Sequence, residues 1–123
     1  MRRALVAGSN GPTDLGPLKY ARSDAERIGA VFASPTCGFE VIMPESESTA
    51  SLVRQQLLAT ADNLREEDTF ICYFAGHGLT HRGSLVLFLD DTEPDRLLST
   101  GLIATLFWPR RRGSGRWCSE HAE

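Results

Sequence analysis

Cysteine is scarce: there are three in 123 residues, an odd number, and Cys37, Cys72 and Cys118 fit no zinc-ligand spacing. Neither a disulfide framework nor a zinc staple is indicated. A chain of this length does not need one, because folding buries about two thirds of the unfolded surface. Long apolar runs are missing as well. The N-terminal run, residues 4–7, is far shorter than a signal-peptide core or the ~20 residues of a membrane span. A cytoplasmic location with reduced thiols is therefore expected, without a membrane partner. Basic blocks are absent from the first half and the net charge is -3, so composition points to no nucleic-acid partner. The exception is late: Arg110, Arg111, Arg112 and Arg116 crowd together near the end.

With 41% hydrophobic and 24% charged residues, the chain fits one globular domain. Residues 4–7 predict a buried strand closed by a loop containing Gly8, Gly11 and Pro12. Ala21, Ala25, Ile28 and Phe32 recur at helical spacing, with Ser23 and Glu26 in the positions of a capping box, although the helix could start near Lys19. Phe39, Val41 and Met43 alternate as a second strand after Gly38. Residues 48–65 place Val53, Leu57, Ala61 and Leu64 on one helical face, with Ser48 or Thr49 as N-cap. Residues 69–75 are apolar on both alternating faces, as suits a central parallel strand covered on each side, and Cys72 within them is expected to be buried. Residues 84–89 are a fourth strand candidate, and residues 97–107 a weak helix interrupted by Gly101. Strand and helix in alternation predict an α/β sheet joined by right-handed crossovers.

In such sheets the functional crevice lies outside the carboxyl ends of the strands. His77 stands there, between Gly76 and Gly78, two residues expected to take positive φ and to let a substrate chain approach. Imidazole is the side chain whose charge changes between about pH 5 and 8, which suits general acid–base work. A solvated or structural histidine is the plainer alternative. His81, Asp90 and Asp91 lack the helical spacing of a metal set. The acidic loop over residues 90–95 either shapes a substrate entrance or is simply solvated. GSNG at residues 8–11 is half a phosphate loop without its Lys-Ser/Thr pair.

The stretch DTFICYFAGHG, residues 68–78, resembles the histidine motif of the caspase-like cysteine peptidases, the superfamily of caspases and metacaspases. RRALVAGSN (residues 2–10) is similar to that family's first strand. LKYARSDAERIGAVF (18–32) resembles its Asn-Asp-Ala helix, GFEV (38–41) its second strand, and LVLFLDDTEPDR (85–96) the strand and acidic loop after the histidine. The resemblance implies a caspase-like three-layer α/β fold, a mostly parallel sheet with helices on both faces, over residues 1–107. It also implies an endopeptidase acting on protein or peptide substrates through a Cys/His dyad, with His77 catalytic and a Gly78 amide helping to bind the oxyanion. No metal or cofactor is called for. Asp24 takes the place of an acid that in some members lines the pocket for the residue before the cleaved bond; a carboxylate favoured by the helix dipole is the alternative.

The family's nucleophile follows its histidine by about 50 residues at the end of an apolar strand, and this sequence has no such strand. Cys118 has the right order, with His121 nearby, but Arg116 and Trp117 stand where the strand and its Asp belong. Cys37 is expected at the amino edge of the sheet. Residues 108–123 thus suggest a disordered or frame-shifted tail behind a domain incomplete at its C-terminus and, as it stands, inactive. Alternatively the tail is a genuine basic segment that contacts an acidic partner or nucleic acid. On the incomplete-domain view, an open sheet edge should favour self-association. Two further readings remain: a catalytically inactive caspase-like interaction module, and an unrelated α/β binding domain whose His77 is structural.

Overall fold

The computed structural model describes residues 1–11, 19–44 and 47–104. The first elements come in the expected order: β1 (Arg2–Gly8), α1 (Ala21–Ala33), the short β2 (Glu40–Ile42), α2 (Ala50–Asp62) and β3 (Thr69–Ala75). The three strands form one parallel sheet in the order β2-β1-β3. β1 is therefore the central strand of the described sheet, and it carries the unbroken buried run Ala4, Leu5, Val6 and Ala7.

Alternation along β1 decides which helix covers which face. Leu5 and Ala7 point to α2 and pack with Ala50, Val53 and Leu57. Ala4 and Val6 point the other way, onto Ala25 of α1, with Phe32, Val41 and Tyr73 around them. The result is three layers, helix, sheet, helix, as the sequence resemblance implies. Small residues set the close approach of α1: a Cβ on Gly8 would lie 2.7 Å from the Ala21 carbonyl oxygen and from the Ala25 Cβ.

The helix starts differ in part from expectation. α1 begins at Ala21, and Ser23 forms no capping box: its hydroxyl donates to the Tyr20 carbonyl at 3.0 Å. Glu26 faces Arg22 one turn back instead. In α2 the cap is Thr49, whose hydroxyl accepts from the Leu52 amide at 3.2 Å.

β3 has the predicted limits but not the predicted burial. None of its residues is fully buried, and Cys72 is exposed. The reason is its place in the sheet. β3 pairs with β1 on one side, and α2 lies under β1, so the β3 face that carries Cys72 is only partly covered.

After β3 the chain leaves the parallel sheet. β4 (Gly78–His81), β5 (Ser84–Leu87) and β6 (Leu102–Ile103) form a second, antiparallel sheet. Arg82 and Gly83 both have positive φ, 50° and 81°, the backbone of a two-residue hairpin turn. Between β5 and β6 the chain makes a 3₁₀ turn, Pro94–Arg96, and a one-turn helix α3 (Leu97–Thr100). The helix candidate beginning at residue 97 thus stops at Gly101, where the chain turns into β6; residues 105–107 lie outside the described residues. Leu89 and Leu102 then enter the α2-side core, tying the two sheets together. No helix among the described residues is long and apolar enough to cross a membrane.

Leu5 is wholly buried between β1 and α2. Leu5→Ala should lower unfolding stability by about 3 kcal/mol through lost burial and the cavity left behind. A urea titration reads this as a lower midpoint with unchanged slope.

Candidate functional site

In the order β2-β1-β3, the chain leaves β1 for one neighbour and later returns on its other side. The carboxyl ends of β1 and β3 therefore border the crevice where an open α/β sheet holds its ligands. The loops after these two strands run together: the Ser9 amide donates to the Ala75 carbonyl at 3.0 Å. Gly11 comes next to His77, so close that a Cβ on Gly11 would sit 2.7 Å from the imidazole Cδ2. Gly11 also has φ +83°, a conformation that favours glycine, so backbone strain and crowding both exclude a side chain there.

Gly76 serves a different purpose from the one its position suggested. Neither it nor Gly78 has positive φ. A Cβ on Gly76 would meet the Phe74 ring at 2.8 Å and the Ser9 carbonyl at 2.9 Å, so this glycine permits the two loops to touch. Gly78 opens β4 and pairs with Leu87. The His77 carbonyl accepts the Phe88 amide at 2.9 Å, and the two rings stand 6.4 Å apart at 53°. The imidazole thus has the glycine loop near its Cδ2 edge and Phe88 as a tilted neighbour. His77 also borders a cavity of about 320 Å³ whose described lining includes Gly78, Leu79, Phe88, Pro94 and Leu97.

In the acidic loop, for which the sequence leaves a substrate entrance and a solvated loop both open, Asp90 and Asp91 are committed to hydrogen bonds within the protein. Asp90 Oδ1 accepts the hydroxyl of Ser9, a residue with no solvent exposure, while Oδ2 accepts the Ser48 amide at 2.7 Å. Asp91 Oδ1 accepts the Ala50 amide at 2.9 Å. Ser9 Oγ in turn accepts the Gly11 amide at 3.1 Å. Asn10 Oδ1 accepts the Arg22 amide at 3.2 Å, which links the same loop to the start of α1. The GSNG stretch is therefore tied into the protein itself.

Asp24 lies in the first turn of α1 and is exposed, where the helix dipole favours a carboxylate. Cys37 sits in the turn before β2, and its carbonyl accepts from Arg2 at 3.0 Å. Arg2 starts β1, whose other end carries the His77 crevice; at ~3.3 Å per strand residue, about 20 Å separates the two. Cys72 lies within β3, roughly 16 Å from His77 by the same rise. Its thiol is pushed up to about 11 by desolvation, although the residue as a whole stays exposed on its partly covered strand face, so thiolate is rare there at neutral pH. Neither described thiol therefore stands beside His77. Cys118, His121 and the arginine cluster lie outside the described residues, as does the whole of 108–123. His81 pairs with Ser84 across the hairpin, and among the described residues no three His, Cys, Asp or Glu side chains converge as a metal site would need.

The sequence raised Ser9 and Gly11 only as half a phosphate loop and Asp90 only within an acidic loop; it did not reveal Phe88, nor that these residues meet beside His77.

Two outcomes are expected. Asp90→Ala strands the buried Ser9 hydroxyl and the Ser48 amide, and should cost about 1–3 kcal/mol, read as a lower urea midpoint. Alkylation of Cys72 by iodoacetamide, followed by peptide mass mapping, should quicken about tenfold per pH unit between pH 8 and 10, since the thiolate fraction rises that way below the thiol's pKa; a plateau by pH 9 would contradict it.

A family model described as Caspase domain matches residues 1–107. Comparison with curated proteins and with solved structures gives no match.

Proposed function

The chain belongs to the caspase domain family, and from that premise we propose that it is a cysteine endopeptidase domain in which His77 is the general acid–base. The observation that carries this reading is the placement of His77: it stands at the carboxyl end of β3, at the β1/β3 crevice, against Gly11 and beside a cavity.

In the proposed reaction a cysteine thiolate attacks the scissile carbonyl carbon and a sulfur–carbon bond forms. Backbone amides, that of Gly78 among them, hold the oxyanion. As the carbon–nitrogen bond breaks, the His77 imidazolium gives its proton to the departing amine. Water then attacks the thioester with His77 as base, releasing the carboxylate and restoring the thiol. Neither Cys37 nor Cys72 suits the nucleophile's role, because both lie far from the imidazole along the strands, and Cys72 is further handicapped by its raised pKa. Cys118, which follows the histidine in the order the family requires, is the cysteine to test. Asp24, two residues beyond the Arg22 amide that bonds Asn10 of the loop contacting His77, is proposed to face the substrate segment before the cleaved bond.

The test is turnover of an internally quenched peptide library by the folded full chain. His77→Ala should lower kcat/KM by about 10²–10⁴, the usual worth of a positioned acid–base group, and Cys118→Ala should bring turnover to background. A folded wild-type chain that cleaves nothing would overturn the assignment of catalysis to this chain. Cleavage that survives Cys118→Ala would overturn the choice of nucleophile.

A further inference from the structure

The cavity beside His77 differs in character from the rest of the crevice. On the Gly11 side, the crevice is backbone and hydroxyl: Ser9, Asn10 and Gly11 with their hydrogen bonds. On the cavity side the described lining is Gly78, Leu79, Phe88, Pro94 and Leu97, and it holds no ionisable side chain other than His77 itself. At about 320 Å³ it lies at the small end of ligand pockets, room for one bulky side chain. Leu79 is 48% exposed at its rim. A second cavity shares Pro94 and Leu97 with it and adds His81, Asp95 and Arg96, so the surface turns polar with distance from His77.

Peptide hydrolysis assigns the two sides of such a histidine different parts of the substrate. The carbonyl half is held by the nucleophile. The amine half must come within hydrogen-bond reach of the imidazole that protonates it. The residue after the cleaved bond is therefore the one whose side chain lies against the surface adjoining His77. Resting on the function proposed above, we infer that the Leu79, Phe88, Pro94 and Leu97 cavity takes that side chain, and that it selects a bulky apolar residue: Leu, Ile, Met or Phe. A charged side chain would lose water there without gaining a counter-ion from the described lining, whereas an apolar one is stabilised by burial.

The experiment needs no turnover. Dipeptide amides with a free amino end, H-Leu-Ala-NH₂, H-Phe-Ala-NH₂, H-Gly-Ala-NH₂ and H-Asp-Ala-NH₂, copy the amine product. Each is titrated into the full isotope-labelled chain and followed by heteronuclear NMR. The Leu and Phe amides should bind at least about tenfold more tightly than the Gly and Asp amides, the scale on which an apolar pocket separates side chains. Their shifts should fall on His77, Leu79 and Leu97. Leu79→Lys, at an exposed position, should weaken binding of the Leu amide about tenfold while the chain stays folded. Equal binding of all four amides, or shifts away from the cavity, would overturn the inference.

The peptide library separates this claim from the peptidase reading. Cleavage with no preference after the cut bond overturns the subsite alone. Selective binding of the Leu amide by a chain that cleaves nothing supports the subsite and overturns the catalytic assignment.

Discussion

The carboxylate of Asp90 joins segments that lie far apart in the chain, and the position of His77 depends on that join. One oxygen receives the buried Ser9 hydroxyl from the β1 loop; the other receives the Ser48 amide at the approach to α2. Asp91 beside it receives the Ala50 amide, the first of the helix. Amides at a helix start have no partners within the helix, and the dipole there favours negative charge. Two adjacent carboxylates thus complete α2 and, through Ser9, hold the loop that brings Gly11 against the imidazole. The Ser9 hydroxyl and the Ser48 and Ala50 amides all belong to buried residues, donors that need an acceptor.

Parallel pairing explains why these groups meet at one end. β1 and β3 run in the same direction, in register from Arg2 with Thr69 to Gly8 with Ala75, so both deliver their loops to the same edge. The antiparallel β4–β5 hairpin then carries the chain out and back to that edge. The returning segment gives the Phe88 amide to the His77 carbonyl before reaching Asp90. The core and the site share a scaffold: Leu89, between Phe88 and Asp90, is fully buried against the α2 cluster. Burial of that leucine fixes where its two neighbours stand, one facing the histidine and the other bound to Ser9.

The parts legible in the sequence are those governed by local periodicity. β3 has its predicted limits because an apolar run that starts just after Thr69 ends at a glycine. α1 and α2 were visible from their apolar spacing, with errors at the caps, where Ser23 turned to the Tyr20 carbonyl instead of an amide. His77 was legible because an imidazole between two glycines at a strand's end is unusual chemistry in a predictable place. The hairpin was not, since GLTH (residues 78–81) is short and half exposed and has no period to detect, although Arg82-Gly83 was its turn signal. Burial of β3 was overstated because its composition does not say whether a strand is central or terminal in a sheet. The Asp90 network was illegible for a plainer reason: composition shows a carboxylate's charge and nothing of the donors that folding brings to it.

Asp90 reaches the histidine loop through the β1 loop: its oxygens accept the Ser9 hydroxyl and the Ser48 amide, and Ser9 in turn accepts the amide of Gly11, the residue packed against the imidazole. In the proposed reaction the ring must donate a proton and then accept one, so a fixed ring position would serve both steps. Gly11 against Cδ2 is a wall to the ring, and the Phe88 amide on the His77 carbonyl fixes the backbone that carries it. Enlarging the wall by one methyl would push on the ring directly. Removing Asp90 instead loosens the loop behind the wall. The two changes would therefore disturb the same imidazole in different ways, the first by displacing it and the second by releasing it.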